Sequence, residues 1–250
     1  MCGRFVATRP VEDIANLLDV DDIEVAPELA RPRWNVAPQA TILAVTATPG
    51  VEGHRRLATF RWGLVPSWAK DPGIGARAFN ARAETVAEKP MFRAAVSRRR
   101  CIVPVDAFYE WTPPPEGSPS KHKQPWCFQA ADGGLLTLAG LWEEWRPLSP
   151  GGDTRDDRRE PPLRTCTIIT TEANGLVGRF HNRMPVVIGQ EDFAEWLAPE
   201  PLDPGELEAM TRPARDEILE VYPVSTRVNN ALAEGPELAE PIPSDGLLPD

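Results

Sequence analysis

The chain has 250 residues, 42% of them hydrophobic, with 27 Lys/Arg against 37 Asp/Glu and a formal net charge of −10. That length suits one large domain or two small ones with a substantial core, and no apolar run reaches the roughly 18 residues that suggest a bilayer span. The N-terminus lacks the apolar stretch of a signal peptide, so a cytoplasmic protein is expected.

Charge is uneven along the chain. Residues 1–110 hold 15 basic and 13 acidic side chains, and residues 111–250 hold 12 and 24. A local basic face is compatible with this overall acidity, because exposed charges are screened within ~8 Å at physiological salt. Cys2, Cys101, Cys127 and Cys166 are widely spaced with no Cys-x-x-Cys pair, which suggests neither a zinc site nor a disulfide framework. The 28 prolines favour loops and short strands over long helices.

The chain opens on Met1-Cys2-Gly3-Arg4-Phe5, which admits two readings. Cys2 is either a small apolar residue entering a first strand or, once Met1 is removed, an N-terminal nucleophile with an amine and a thiol on adjacent carbons. The α-amine titrates near ~7.7–8.0 against ~10.4 for lysine, so far more of it is free base at neutral pH. Such an amine attacks an aldehyde to give a Schiff base, which the thiol can close into a thiazolidine.

Pro10 predicts a helix carrying Val11, Ile14, Ala15, Leu17 and Leu18 on helical spacing. Asp19 to Glu28 reads as a mobile acidic linker. Thr41–Thr46 and Leu57–Trp62 read as partner strands around Pro49-Gly50. Ser67 to Pro72 is an irregular loop carrying Trp68. Phe79 to Thr85 is polar and arginine-bearing, and Lys89 to Arg99 reads as a helix. The bland expectation for Arg98–Arg100 is a solvated surface.

Cys101–Val105 reads as a buried strand, followed at once by Phe108-Tyr109-Glu110-Trp111. Glu110 either faces water on a half-exposed strand or is buried among aromatics. In the second case desolvation raises its pKa and suits it to proton transfer near neutral pH. Trp126–Ala130 and Leu135–Trp142 flank Asp132-Gly133-Gly134 and predict a hairpin. Residues 146–163 have the composition of a disordered insertion. Thr165–Thr171 is a β-branched strand, and Glu172 to Arg179 a loop or short turn. His181 then precedes the apolar Val186-Val187-Ile188, where a histidine is more often structural than catalytic. Short helices are expected at Glu191–Leu197, Pro204–Met210 and Pro213–Glu220, and a last strand at Val221–Val224. A Pro-rich acidic segment follows Glu234.

Eight segments taken in order carry a resemblance. They are Met1–Phe5, Trp34–Pro38, Arg61–Ala69, Phe79–Thr85, Arg99–Pro104, Phe108–Trp111, Phe180–Pro185 and Val224–Asn229. Together they resemble the SOS response-associated peptidase (SRAP) family of abasic-site processing proteins, from residue 2 to about 242. The resemblance implies an α+β fold, a single β-rich domain over 1–242 with mixed strands curled into a barrel-like core and short helices outside. It leaves 243–250 as a flexible acidic tail. It implies that the protein binds single-stranded DNA as a monomer, without cofactor or metal, and crosslinks to abasic sites through Cys2. It further implies that Asn80 orients the Cys2 amine, that Glu110 and His181 transfer protons, that Arg4, Arg82 and Arg183 contact phosphates, and that Trp68 stacks on a base. Association with the nucleoid is expected when damaged DNA is bound. Two rival readings are a cysteine peptidase that processes its own N-terminus and a non-covalent single-stranded DNA binder. A lyase side reaction through the Schiff base is a further chemical option.

Overall fold

The computed structural model describes residues 2–48, 50–114, 121–147 and 161–243. Among these the strands are β1 (Phe5–Ala7), β2 (Asp22–Glu24), β3 (Arg33–Val36), β4 (Thr41–Ala47), β5 (Arg55–Trp62), β6 (Asn80–Arg82), β7 (Arg100–Val105), β8 (Ala107–Thr112), β9 (Gln124–Ala130), β10 (Leu136–Trp145), β11 (Leu163–Glu172), β12 (Arg183–Pro185) and β13 (Leu219–Pro223). The helices are α1 (Val11–Leu17), α2 (Arg93–Arg98), α3 (Gly175–Gly178), α4 (Phe193–Leu197) and α5 (Pro204–Met210). The fold is α+β and β-rich, with short peripheral helices.

Strand alternation builds the core. Ile42, Ala44, Phe60, Trp62, Cys101, Val103, Leu138, Cys166 and Ile168 enter one buried cluster. Their neighbours Val45, Leu57, Ile102, Ala139 and Ile169 enter another, against Ile14, Phe92 and Trp196. A period of two puts successive side chains on opposite faces, so one face of these strands builds the interior and the other receives α1, α2 and α4. Strands β4, β5, β11, β10 and β7 close on themselves. The closing pair is parallel, with Arg61 opposite Thr165 and Trp62 opposite Cys166. A second sheet, in the order β13-β9-β8-β1-β3, contributes Phe5, Phe108, Trp126 and Phe128 to the first cluster.

β5 leaves β11 after Trp62, and β6 takes over the same edge at Asn80, opposite Ile168. The residues between form an excursion that carries Trp68, 56% exposed, out from the barrel. Gly63 makes the exit possible. It sits at φ 132, and a Cβ there would lie 2.4 Å from the Gly75 carbonyl oxygen. Only glycine tolerates both conditions.

Several local expectations are corrected. The Asp132-Gly133-Gly134 turn does not close a two-stranded ladder: β9 pairs with β8 and β13, whereas β10 pairs with β7 and β11. Turn chemistry marks where the chain reverses but not which sheet it joins. The acidic linker contains β2, which runs parallel to β5 with Arg56 reaching Asp22 and Glu24 and with Arg164 on Glu24. Leu163 already belongs to β11, and residues 148–160 of the expected insertion lie outside the described residues. Pro213–Glu220 is not one helix but a single 3-10 turn at Asp216–Ile218 running into β13. The acidic segment after Glu234 packs as far as 242. Leu238 is fully buried, and the Ile242 amide donates to the Pro223 carbonyl at 2.9 Å. Of the expected flexible tail at 243–250, residues 244–250 lie outside the described residues.

Arg100 is the largest departure. It is 2% exposed rather than solvated. Its guanidinium donates to the carbonyls of Val96, Ser97, Trp196, Ala198 and Glu200, and so caps the carbonyl ends of α2 and α4 together. Hydrogen bonds from a charged donor are worth ~1.5–3 kcal/mol, and a buried carbonyl stripped of its donor carries its own penalty. Arg100→Met is therefore expected to lower unfolding free energy by about 3 kcal/mol or more, while Arg98→Ala changes it by less than about 0.5 kcal/mol. Urea denaturation of both variants checks this.

Candidate functional site

β1 is only three residues long, yet it lies inside its sheet. Phe5 pairs with Val36 of β3 on one side and with Phe108 of β8 on the other. The Tyr109 amide donates to the Arg4 carbonyl at 3.0 Å, which continues the contact toward the N-terminus. Cys2 is thereby held in the first core cluster at 0% exposure, with Trp126, Phe180 and Met184 in the same cluster. Burial pushes its thiol well above the usual cysteine range, and the negative charge of Glu110 pushes it further.

Glu110 lies on β8 opposite Trp126 and is 3% exposed, so the water-facing reading of the strand does not hold. Burial raises its carboxyl pKa, and the nearby His181 partly opposes that rise. Asn80 comes from the other sheet, at the first position of β6. Its Nδ2 donates to the Cys2 carbonyl at 2.7 Å. Its Oδ1 is buried without a hydrogen-bond partner among the described residues. The amide therefore grips the backbone of Cys2 and keeps an acceptor in hand beside it.

His181 follows α3, whose start is capped by Asn174 accepting from the Val177 amide. The His181 amide donates to the Val177 carbonyl at 2.9 Å. On the ring, Nδ1 accepts the Arg183 amide at 2.9 Å. A backbone amide can only donate, so the neutral imidazole carries its proton on Nε2. Cys2, Asn80, Glu110 and His181 thus arrive from four separate segments. Asn80 touches Cys2 directly, and Glu110 lies within electrostatic reach of both Cys2 and His181.

The expected DNA-contacting residues fare unequally. Arg82 is exposed on β6, two residues beyond Asn80, and Trp68 stands on its excursion. The Arg183 guanidinium is engaged by both Glu84 oxygens at 2.6 and 2.9 Å and also donates to the Thr170 carbonyl. Arg183 holds Glu84 below the usual carboxyl range. Arg4 donates to Asn35 Oδ1 at 2.7 Å and to the Val228 carbonyl at 3.1 Å, with its guanidinium 5.7 Å from the Trp111 ring centre.

Three supporting residues, Asn35, Glu84 and Asn229, were not anticipated as such. Asn35 is buried, and its amide ties the Arg4 network to the Val228, Asn230 and Ala233 carbonyls. Asn229 accepts from Trp111 Nε1 at 2.6 Å. All three lie inside the motifs that carry the family resemblance, and that membership was the available signal.

Open cavities of about 700 and 800 Å³ lie elsewhere on the surface and include none of Cys2, Asn80, Glu110 or His181 in their walls. Cys2 and Glu110 are buried, whereas Asn80 and His181 are half-buried.

The molecule is thus a β-rich α+β domain whose second residue is part of its core, set between an amide from one sheet and a carboxyl from the other. Residues 1–231 match the family described as SOS response associated peptidase (SRAP), and the chain belongs to that family. It is 40% identical over 240 residues to the abasic site processing protein YoqW of Bacillus subtilis (strain 168), covering 96% of this chain and 99% of that protein. It is 31% identical over 248 residues to the abasic site processing protein YedK of Escherichia coli (strain K12), covering 97% and 100%. A solved protein structure from Bacteroides thetaiotaomicron superposes with a TM-score of 0.78 at 23% identity, over 96% of this chain and 100% of that one, a likeness of fold.

A buried carboxyl leaves a pH signature. Below the ordinary value of 4.5 the folded and unfolded chains both hold the Glu110 proton. As pH rises through that value the unfolded chain ionises first, and stability falls until the folded carboxyl ionises too. Glu110→Gln is therefore expected to melt at or above wild type near pH 7.5, with the difference vanishing at about pH 4. Thermal melts across that range check this, and a variant whose relative stability falls as pH rises would contradict it.

Proposed function

We propose that the protein captures abasic sites in single-stranded DNA as a covalent crosslink through Cys2, once Met1 has been removed. The observation that carries this reading is the joint hold on Cys2: Asn80 on its carbonyl, and the buried Glu110 close enough to shift its thiol. The names of the relatives, abasic site processing proteins, support the substrate.

The chemistry follows from the groups. The ring-opened abasic sugar presents an aldehyde. The Cys2 amine attacks its carbon, and proton transfers convert the resulting carbinolamine to a Schiff base with loss of water. The thiol then adds to the imine carbon, its proton passes to nitrogen, and a five-membered thiazolidine closes. No electrons are gained or lost overall. A carboxyl whose pKa burial raises can give a proton to the departing hydroxyl and take one back, and the imidazole offers a second site for the same traffic. Reversal runs the same steps backward with water. Ring closure consumes the imine through which β-elimination would proceed, so it suppresses lyase chemistry.

The direction of the thiol's shift in the chain that still carries Met1 favours this reading over a cysteine peptidase. A peptidase nucleophile is a thiolate with a pKa depressed to ~3.5–7.5. Burial and the Glu110 charge move Cys2 in the opposite direction. The amine as first nucleophile, with the thiol acting second as a neutral group, fits that direction. Arg82 is offered for phosphate contact, and Trp68 for stacking worth ~1–3 kcal/mol without sequence preference.

Single-turnover crosslinking to an abasic oligonucleotide tests the roles. Glu110→Gln and His181→Ala are expected to slow both adduct formation and reversal by ~10²–10⁴-fold, with combined effects below the product because they serve one step. Cys2→Ser is expected to leave no stable adduct and at most a borohydride-trappable Schiff base. Folded Glu110→Gln and His181→Ala proteins that react at wild-type rates would remove both from the mechanism.

A further inference from the structure

We infer that Lys121 and Lys123 form a second phosphate-binding point at the end of the ladder that carries Glu110, in the other sheet from Arg82; this rests on the function proposed above. A strand that presents an internal abasic residue leaves the site by two arms. Arg82 continues the strand that carries Asn80 and serves one of them from the barrel sheet. The other sheet, which carries Glu110, needs its own cation.

Two arginines on that sheet's side are engaged. Arg4 is taken up by Asn35, Val228 and Trp111. Arg227 pairs with Glu237 at 3.0 Å. Lys121 and Lys123 are exposed and form no ion pair among the described residues. Their position is built rather than accidental. β8 and β9 pair with Thr112 opposite Gln124 and Glu110 opposite Trp126, so Lys123 emerges just beyond the end of the ladder that holds Glu110. At ~3.3 Å per residue that is about 10 Å along the strand from the carboxyl's partner.

Asn229 fixes the turn. Its Nδ2 donates to the Lys123 carbonyl at 3.1 Å, while its Oδ1 takes the Trp111 proton. The next residue, Gln124, is buried and donates to the Val224 carbonyl at 3.0 Å. The same asparagine thus ties the lysine turn to the indole next to Glu110. On a chain of net charge −10, two exposed lysines at the end of this ladder, Lys123 near enough to act on Glu110, favour a polyanion there rather than elsewhere.

The test uses the full chain and an oligonucleotide with an unreactive tetrahydrofuran abasic analogue, so binding is measured apart from crosslinking. Three substrates carry both arms, only the 5′ arm, or only the 3′ arm. For the Lys121→Gln/Lys123→Gln double variant, the slope of log affinity against log salt is expected to flatten by about 1.4 on the two-arm substrate, at ~0.7 per neutralised phosphate. The same flattening is expected on one of the one-arm substrates and none on the other, with an unchanged thermal melt. Wild-type slopes on all three substrates would overturn the inference. Equal flattening on both one-arm substrates would also overturn it, since that is a diffuse charge effect and not a local contact. A wild-type protein that binds all three substrates but never crosslinks to authentic abasic DNA would defeat the proposed function while leaving the lysine comparison decisive in its own right.

Discussion

A three-residue strand in the middle of a sheet is the constraint on which the rest depends. β1 is paired on both edges, so the chain cannot release its N-terminus without opening the second sheet. Most chains fray at their ends because nothing ties them down. Here the first residues are ladder and core, and the register that puts Phe5 beside Phe108 also draws the residue before Gly3 toward Glu110. The placement of Cys2 is bound up with the folding of the whole sheet.

That arrangement has an electrostatic cost which the surroundings define. The Glu110 carboxyl, buried on the strand position opposite Trp126, is desolvated, and desolvation favours its neutral form. The same desolvation raises the Cys2 thiol, and ionisation of Glu110 raises it further. Two acids that resist ionisation side by side make a poor thiolate nucleophile and a serviceable proton shuttle. Asn80 adds orientation without charge, which matters where another ion would shift both groups again. Glu84 performs the complementary service one strand away, by neutralising Arg183 where its backbone amide fixes the His181 ring.

Much of this was legible from residue order. The helix at Val11–Leu17 follows from its apolar spacing. The β-branched and aromatic runs at Thr41–Thr46, Leu57–Trp62 and Thr165–Thr171 declare themselves as strands. Pro204–Met210 is a helix whose Asp203 and Glu206 form a reciprocal cap. The candidate site residues were picked out by motif order and not by periodicity. Burial of charge was what local sequence could not convey. Arg100 reads as one of three surface arginines until Trp196, Ala198 and Glu200 bring their carbonyls to it from far along the chain. Asp22 and Glu24 read as linker until Arg56 and Arg164 meet them. Glu110 stayed ambiguous for the same reason, because alternation names two faces without saying which is dry. Sheet membership was equally hidden at Asp132-Gly133-Gly134, where the turn is correct and the partner is not.

The central claim is that the N-terminal amine and thiol of one residue share the sugar carbon. Tandem mass spectrometry of a protease digest of the adduct tests this most directly. The account predicts that the deoxyribose remnant sits on a peptide beginning at Cys2 with Met1 absent, and that this peptide reacts with neither amine- nor thiol-specific reagents, because both groups are closed in the ring. A remnant on a lysine, or on a peptide that still begins with Met1, would contradict it.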